Sequence, residues 1–291
     1  MDCPTVMKNY RIKRPIICDW GGGNENPQTH LTRNEQEQLR QRRQHLQLSD
    51  HRSVLLGERK TTNDWFCGGT LISDDYVLTS AHCFEGDRRL DVIRLGEHDL
   101  NSDTESVPVV DISPAQDGII IHPDFKSPAR YADIALIRLS KPVNFTKEIL
   151  PACLHNSKQR LDLSPETVLT FAGWGTVGYG QELSPTLQEV KVPLVDLQSC
   201  NAAYSKIYRK VVQIPDGITD RNYMLCAGKK GKDSCQGDSG GALLYEDPKS
   251  SRFMVVGISS FGYGCGVDGV PGVYTKVAPF QAWINRIVFQ R

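Results

Sequence analysis

Ser239 lies in a glycine-rich segment that could make its hydroxyl a nucleophile. The segment reads Gly237-Asp238-Ser239-Gly240-Gly241, and glycines permit a tight turn that points backbone N–H groups into one small space. Such N–H groups can stabilise an oxyanion. A serine hydroxyl is a weak nucleophile unless a base and an orienting acid assist it. The segment therefore predicts nucleophilic catalysis if both partners exist elsewhere; a turn around an inert serine is the alternative.

A candidate base and a candidate acid each adjoin a strand-like run. His82 ends the run Leu-Thr-Ser-Ala-His and is followed by Cys83, which could fix it in place. Asp133 opens Asp-Ile-Ala-Leu-Ile-Arg-Leu, whose alternation predicts a strand with the acid at its start tucked under the histidine. The chain order His, Asp, Ser is one of the known orders of a catalytic triad. These two residues and Ser239 are the candidate catalytic groups.

Short strands must position these residues. From Val54 onward the chain shows brief apolar runs such as YVLTSA, VIRLG, IALIRL and MVVGIS, bounded by Gly, Pro, Asn or Asp. Runs of this length, rich in Val and Ile, predict the strands of a sandwich or barrel. Helical periodicity is convincing only in residues 278–291. The apolar residues that share one face of this helix are Phe280, Trp283, Ile284, Ile287 and Val288.

Length and composition fit a β protein that disulfides stabilise. The 291 residues can hold a two-barrel β protein of about 200–250 residues and an extension. Nine cysteines, 25 glycines and 16 prolines predict many turns and disulfides, and hence an oxidising compartment. The 34 Lys and Arg balance the 34 Asp and Glu, so we expect neither a nucleic-acid nor a membrane partner. No apolar run approaches the roughly 18 residues of a membrane span.

These segments together resemble the chymotrypsin-like serine protease family. Seven motifs occur in the family's order, from about Val54 to the C terminus: CGGTLIS, LTSAHC, DIALIRL, AGWG, MLCAG, DSCQGDSGG and GVYTKV. The resemblance implies an all-β fold of two six-stranded antiparallel β-barrels with a C-terminal helix and the site between the barrels. It makes Ser239 the nucleophile, His82 the general base and then acid, and Asp133 the group that fixes the histidine tautomer. The oxyanion hole would be the N–H groups of Gly237 and Ser239.

The resemblance also implies a specificity pocket. Asp233, six residues before the nucleophile, would lie at the pocket floor, and the walls would be Ser260, Phe261, Gly262 and Gly272. A carboxylate at the end of such a slot pairs with a guanidinium or ammonium group. We therefore expect cleavage of protein substrates after Arg or Lys, with no cofactor required. A solvated loop acid is the alternative interpretation of Asp233.

The cysteines can be paired by the same resemblance. It implies three disulfides within the domain: Cys67–Cys83, Cys200–Cys226 and Cys235–Cys265. Cys153 matches the cysteine that tethers a light chain in many zymogens; Cys18 is its expected partner, and Cys3 is left over. The tether is most similar to that of the clip-domain proteases of arthropod cascades. The resemblance thus implies secretion, an upstream activating protease and serpin-type inhibitors.

The N-terminal region departs from the family pattern. Residues 24–52 are polar and rich in Gln and Arg, which predicts a mobile linker or a marginal helix. We divide the chain into a light-chain-like extension at 1–53, expected to be disordered, and a peptidase domain at 54–291. The first 20 residues lack the apolar core of a signal peptide. Either a leader and an upstream domain are missing from this sequence, or the cysteines belong to a reduced protein; we favour the former.

Activation in this family needs a new N-terminus, usually Ile-Val-Gly-Gly after Arg, whose ammonium pairs with the acid before the nucleophile. That acid is Asp238 here, and no such motif is found. A buried carboxylate without a cation is costly, so a catalytically incompetent homologue that acts as a binding cofactor is the alternative to the active endopeptidase. Three accounts stay open: an error in the N-terminal segment of a real protease, an unusual zymogen, and a non-catalytic homologue that binds partners.

Two lesser sites complete the sequence analysis. Four acids cluster in one loop: Glu97, Asp99, Asp103 and Glu105. Their carboxylates suit Ca²⁺, so a structural calcium ion is one interpretation and an acidic surface turn is the other. Asn144 begins Asn-Phe-Thr, which is an N-glycosylation acceptor if the chain is secreted.

Overall fold

The computed structural model describes most of the chain from Arg52 onward. The described ranges are 52–59, 64–102, 109–146, 148–155, 161, 163–165, 167–207, 212–220, 223–247 and 253–289. The proposed extension lies outside them up to residue 51, so the division of the chain at residue 53 stays a prediction.

The first half of the described chain forms a closed antiparallel sheet. Its seven strands have the order β5-β4-β1-β2-β3-β7-β6. They are β1 Ser53–Glu58, β2 Asp64–Leu71, β3 Tyr76–Thr79, β4 Val92–Leu95, β5 Val110–Ile112, β6 Pro114–Ile121 and β7 Ala135–Leu139. Ser113 alone separates β5 from β6, and these two strands pair at opposite edges of the sheet, with β4 and β7. They therefore act as the two halves of one strand that closes the barrel. For this reason the barrel has seven separate strands, whereas six were expected.

The second half forms a matching barrel. Its strands are β8 Cys153–Leu154, β9 Val168–Gly173, β10 Gln188–Val195, β11 Met224–Ala227, β12 Ala242–Glu246, β13 Phe253–Phe261 and β14 Gly272–Lys276. The order is β12-β9-β10-β11-β14-β13-β8, and β12 also pairs with β13. That last pairing closes a ring of six antiparallel strands. The two-residue β8 adds to β13 in parallel outside the ring.

Strand alternation sends side chains into two different cores. On β1, Val54 and Leu56 lie in the core of the first barrel. Leu55 between them points the other way and packs against Ala172 and Trp174 of the second barrel, because successive strand residues face opposite sides. Each fully buried Leu contributes roughly 1.5–3 kcal/mol of burial free energy. One strand thus stabilises its own barrel and the contact between barrels.

A larger cluster joins the barrels to the C-terminal helix. It contains Leu136 of β7, Leu244 of β12 and Val255 of β13 together with Trp283 and Ile284. The last two lie on α2, Gln281–Val288, which follows a 3₁₀ turn at Ala278–Phe280. The sequence predicts this helix and its buried face, and the structure agrees: Ile287 and Val288 also pack on the cluster.

A second helix, α1 at Leu197–Ile207, was not predicted. Only Cys200 and Tyr204 of it are buried, so it shows little apolar periodicity. Local signals do exist: the Asp196 carboxylate accepts the Ser199 N–H at 2.8 Å, as an N-cap residue does. No helix within the described ranges is long and apolar enough to cross a membrane.

Candidate active site

Strand pairing brings the candidate base and acid together. His82 lies in a 3₁₀ turn, Ala81–Phe84, directly after β3. Asp133 lies two residues before β7, and Thr79 of β3 pairs with Ala135 of β7. The two side chains therefore leave the same end of one strand pair in the first barrel. Ser239 comes from the turn before β12 in the second barrel.

The three candidate catalytic side chains form one hydrogen-bonded series. The Ser239 Oγ is 2.9 Å from His82 Nε2, and His82 Nδ1 is 2.7 Å from Asp133 Oδ2. The other carboxylate oxygen, Oδ1, accepts the backbone N–H of His82 at 2.9 Å. An ionised acid at Nδ1 keeps the proton there, so Nε2 is free to accept the serine proton.

Asp133 is fully buried yet ionised. Burial by itself would raise its pKa, but the charge and hydrogen bonds of His82 and the hydroxyl of Ser260 outweigh burial and hold the pKa below its usual value. A buried carboxylate needs such partners. The site therefore presents a fixed negative charge to the histidine.

Two hydroxyls from the second barrel hold this acid in place. Ser260 Oγ on β13 donates to Asp133 Oδ2, and Thr275 Oγ1 on β14 donates to the Asp133 carbonyl at 3.0 Å. The family resemblance implied for Ser260 only a place in the pocket wall, and no sequence motif predicted its contact with Asp133. Its signal was a hydroxyl at the end of a buried apolar strand, where a polar group requires a partner.

The predicted oxyanion hole lies in the turn that carries Ser239. Gly237 has φ +92°, a left-handed conformation that favours glycine. Within the described part of the chain, the N–H groups of Gly237 and Ser239 donate to no protein acceptor. The Ser239 carbonyl accepts the Gly68 N–H at 2.7 Å, which fixes the turn against the first barrel. Both N–H groups are therefore available to a ligand oxygen, as an oxyanion hole requires.

Asp233 ends a slot with glycine walls. Its carboxylate accepts the Ser234 N–H at 2.9 Å and the Gly266 N–H at 3.3 Å. A Cβ on Gly272 would come 2.5 Å from Asp233 Oδ1, and a Cβ on Gly262 would meet the Cα of Gly272 at 4.0 Å. Only glycine at position 272 therefore fits beside the Asp233 carboxylate. The structure thus brings the predicted floor and both glycine walls together.

The fourth predicted wall residue has a different environment. The Phe261 ring packs edge-on against Tyr204 of α1, with centroids 5.7 Å apart. Tyr204 in turn donates its hydroxyl to the Pro271 carbonyl at 2.9 Å. The Phe261 ring therefore supports the strands that border the slot.

Comparison with known proteins decides the family. The family model described as Trypsin matches residues 43–284. The chain belongs to the trypsin family. Its fold, two β-barrels with a C-terminal helix, is the fold that the sequence resemblance implied.

The trypsin-family relatives include several arthropod serine proteases. The chain is 36% identical over 233 residues to the clotting factor G beta subunit of Tachypleus tridentatus, covering 77% of this chain and 72% of that protein. It is 37% identical over 239 residues to serine protease snk of Drosophila melanogaster, covering 81% and 52%. It is 38% identical over 236 residues to the CLIP domain-containing serine protease HP8 of Bombyx mori, covering 76% and 61%. The chain thus spans about half to three quarters of these relatives.

Three disulfides brace this trypsin-family domain as the resemblance implied. Cys67–Cys83 links β2 to the His82 turn, Cys200–Cys226 ties α1 to β11, and Cys235–Cys265 joins the Ser239 turn to the loop after β13. Cys153 is also disulfide-bonded, with a partner outside the described residues. Cys18 and Cys3 lie outside them too, so their pairing stays a prediction.

Asp238, the predicted activation acid, is buried between two backbone donors. Its Oδ1 accepts the Gly175 N–H and its Oδ2 accepts the Cys235 N–H, each at 2.8 Å. Burial raises its pKa to about 6. No Lys, Arg or His of the described ranges forms an ion pair with it. The segment in which the family pattern places the activation motif, 34–52, lies outside those ranges except for Arg52.

The two described acids of the predicted calcium loop, Glu97 and Asp99, bind groups of the protein, and the calcium site stays a prediction. Glu97 is buried, with only 3% exposure, and its Oε2 accepts Arg94 Nη1 at 3.1 Å while its Oε1 accepts the His98 N–H at 2.9 Å. The same guanidinium binds Asp111 through two hydrogen bonds of 2.7 and 2.9 Å. Arg94 therefore already supplies the cation that Glu97 needs. Asp99 accepts the Asn101 N–H at 3.0 Å.

We expect calcium to leave the stability of this domain unchanged. Asp103 and Glu105 lie outside the described residues, and Arg94 repels a divalent ion from Glu97. The thermal unfolding midpoint, measured with millimolar CaCl₂ and with a chelator, should differ by less than about 1 °C, because only a ligand that binds the folded state shifts the midpoint. A rise that saturates with calcium concentration would contradict this expectation.

Proposed function

We propose that this chain is a secreted serine endopeptidase that cleaves proteins after Arg or Lys. The observation that carries the proposal is the hydrogen-bonded series Asp133–His82–Ser239 beside two N–H groups without protein acceptors in the described structure. Asp233 at the end of a glycine-walled slot supports the specificity. Membership of the trypsin family supports the reaction class.

The proposed reaction proceeds through an acyl-enzyme. Ser239 Oγ attacks the carbonyl carbon while His82 Nε2 takes its proton, and the resulting oxyanion accepts the N–H groups of Gly237 and Ser239. The imidazolium then gives its proton to the leaving amine as the C–N bond breaks. A water molecule then gives a proton to His82 Nε2 and attacks the ester carbonyl carbon. The C–O bond to Ser239 breaks, and His82 returns the proton to Ser239 Oγ as the new carboxylate leaves.

The proposed specificity follows from the state of Asp233. Burial raises its pKa to about 7, so the Asp233 carboxyl group is close to its titration point at neutral pH. A guanidinium or ammonium group that enters the slot favours the ionised form. Substrate binding and deprotonation of Asp233 are therefore coupled.

This coupling predicts a pH-dependent affinity for small cations. Benzamidine carries a permanent amidinium charge across pH 5–8, whereas Asp233 must lose a proton before it can pair with that charge. The dissociation constant should rise as the pH falls below about 7, approaching about tenfold for each pH unit. Isothermal titration calorimetry measures it. Asp233→Ser should bind weakly at every pH with a flat profile, and a flat profile in the unmodified protein would contradict the proposal.

The surroundings of the site support an extracellular cascade role. The three disulfides suit an oxidising compartment, and Asn144 of the predicted glycosylation acceptor is exposed. One relative is named as a clotting factor subunit and another as a phenoloxidase-activating factor. We propose that an upstream protease activates this chain, that its substrates are proteins with Arg or Lys at the cleaved bond, and that serpin-type proteins inhibit it.

A second candidate function is a catalytically silent binding cofactor. The observation that favours it is Asp238, which no described cation neutralises. An unpaired buried carboxylate destabilises the turn that carries Ser239. The two candidates differ in whether Ser239 reacts.

The test is hydrolysis of an Arg-ended chromogenic peptide by the refolded, oxidised protein. Activity is measured before and after limited treatment with trypsin, which is then inhibited, because cleavage in the N-terminal region can create a new ammonium group for Asp238. A fluorophosphonate probe followed by mass spectrometry reports whether Ser239 is the reactive serine. We expect hydrolysis and labelling at Ser239 after the treatment. A folded protein that neither hydrolyses the peptide nor takes the label would favour the binding cofactor.

A further inference from the structure

Ala132 has a strained backbone directly before the candidate catalytic acid. Its φ is +50°, in the left-handed region that glycine adopts easily and alanine seldom does. The residue is buried in the cluster that joins the barrels to the C-terminal helix. The Ile134 N–H donates to the Ala132 carbonyl at 2.8 Å, so the chain makes a tight turn with Asp133 at its centre. The conformation of Ala132 therefore sets the direction in which the Asp133 side chain leaves the backbone.

Strain of this kind persists only where the surrounding structure fixes the conformation. After the turn, β7 provides that restraint, because its first residue, Ala135, pairs with Thr79 of β3. Before the turn, the chain belongs to no strand between β6, which ends at Ile121, and β7. Contacts of the individual residues that precede Ala132 must therefore hold this side of the turn.

Tyr131 makes two hydrogen bonds to the second barrel. Its hydroxyl accepts the Asp216 N–H at 2.7 Å and donates to the Gly217 carbonyl at 3.1 Å. Both partners lie in the segment between α1 and β11, and the Tyr131 ring packs against the buried cluster around α1. Because the hydroxyl uses its donor and an acceptor position at once, the side chain has a fixed place relative to the second barrel.

The segment that binds Tyr131 is itself held to α1. The Ile218 N–H, next to the two partners of Tyr131, donates to the side-chain oxygen of Asn201 at 2.8 Å. Asn201 lies on α1 beside Cys200, whose disulfide with Cys226 ties the helix to β11. Tyr131 is thus anchored to a braced part of the second barrel.

Arg130 restrains the same stretch in a different direction. Its backbone N–H donates to the Gln213 carbonyl at 2.7 Å, and its guanidinium donates to Glu85 Oε1 at 2.7 Å. Glu85 ends the His82 turn, since its own N–H donates to the His82 carbonyl at 3.2 Å. The stretch before Ala132 therefore has three hydrogen bonds to the segment after α1, and the Tyr131 hydroxyl makes two of these three.

We propose that Tyr131 is a positioning residue of the active site, whose hydroxyl holds the turn at Ala132 in the left-handed conformation that directs Asp133 toward His82. Tyr131 acts through Asp133 and takes no part in bond making or proton transfer. Without its two hydrogen bonds, Ala132 relaxes toward negative φ and Asp133 turns away from His82 Nδ1. The effect on hydrolysis rests on the proposed function, whereas the contact between Asp133 and His82 can be measured without hydrolysis.

The first test removes only the hydroxyl, with the variant Tyr131→Phe. The substrate is an Arg p-nitroanilide without further residues, and circular dichroism monitors the fold. We expect kcat to fall about tenfold, because a small displacement of a positioned group costs rate. The KM and the dissociation constant of benzamidine should each stay within about twofold, since the slot at Asp233 is unchanged. Tyr223→Phe is the matched control: Tyr223 is 46% exposed, its hydroxyl has no hydrogen bond within the described ranges, and kcat should not change.

A double-mutant cycle with Ala132→Gly tests whether the hydroxyl acts through the strained turn. Glycine adopts positive φ without strain, so a turn with glycine at position 132 needs the Tyr131 hydroxyl less. Added to Ala132→Gly, the change Tyr131→Phe should lower kcat less than about threefold, against about tenfold with alanine present. A hydroxyl that only stabilised the domain would give equal losses in both backgrounds. Equal losses therefore overturn the inference.

The proton on His82 Nδ1 gives a readout that needs no hydrolysis. Its hydrogen bond to Asp133, 2.7 Å between heavy atoms, places this proton far downfield in the ¹H NMR spectrum. Tyr131→Phe should move the resonance upfield or broaden it by exchange, and Tyr223→Phe should leave it in place. An unchanged resonance in Tyr131→Phe overturns the inference, whatever happens to kcat. If the amide is not hydrolysed by any form of the protein, the proposed function fails, and the resonance alone decides the role of Tyr131.

Discussion

Asp133→Asn should lower kcat for an Arg-containing peptide by about four orders of magnitude while the protein stays folded. The Asp133 carboxylate accepts on both oxygens, from the His82 backbone and from His82 Nδ1. An asparagine that keeps the first contact turns its NH₂ group toward Nδ1. The histidine proton then moves to Nε2, which can no longer accept the Ser239 proton. The measurement is steady-state hydrolysis across a pH series, with circular dichroism to monitor the fold.

Ser260→Ala is the matched control for that change. It removes one hydrogen bond to the same carboxylate but leaves the charge and both His82 contacts, so kcat should fall only on the order of tenfold. The contrast isolates the tautomer from general loosening of the site. If Asp133→Asn kept activity within tenfold of the unmodified enzyme, Asp133 would have no orienting role and the proposed mechanism would be wrong.

Asp233→Ser should reduce kcat/KM for Arg and Lys substrates about a thousandfold, since leaving one partner of a buried charge pair unpaired costs about 3–5 kcal/mol. The substrate guanidinium would enter a slot that holds no opposite charge. A Phe-ended substrate has no such pair to lose and should react no more slowly than before. The ratio of kcat/KM values for Arg-ended and Phe-ended amides measures the effect without depending on the fraction of active protein.

Asp233→Glu serves as a second check on this prediction. It keeps the charge but lengthens the side chain toward Gly272, whose Cα already faces Asp233 closely. We expect the preference for basic residues to persist with a raised KM. If the Asp233→Ser variant hydrolysed Arg-ended substrates at the full rate, Asp233 would not recognise the charge of the substrate.

The sequence predicted most of the fold because its signals are local. The C-terminal helix followed from five apolar residues on one face. Four of them are buried in the joint cluster with residues of β7 and β13, and the fifth, Ile287, packs against it. Helix α1 has no such apolar face. The Cys200–Cys226 disulfide and the hydrogen bond from the Tyr204 hydroxyl to the Pro271 carbonyl fix it to the second barrel instead. The break at Ser113 that divides one barrel strand also leaves no trace in composition.

Only those residues of the candidate site that lie within sequence motifs could be predicted. The identity of the three catalytic candidates followed from segments that resemble a family. The side chains that bind and position these candidates did not follow from those segments. Ser260 was assigned to a wall, and its hydroxyl contacts Asp133, 127 positions away. Arg94 was not singled out, although it neutralises Glu97. Ion pairs and hydrogen bonds between distant segments depend on how the barrels pack, which no local pattern encodes.

The division of the site between two barrels has a consequence for biosynthesis. His82 and Ser239 are 157 positions apart, and they meet only when the first barrel, the second barrel and the C-terminal helix have packed into their joint cluster. Contacts of such long range form late in folding. A chain still leaving the ribosome carries the base and the acid first and the nucleophile near the end, so it has no assembled peptidase centre. The three catalytic candidates therefore cannot meet on the growing polypeptide before its last segments have emerged.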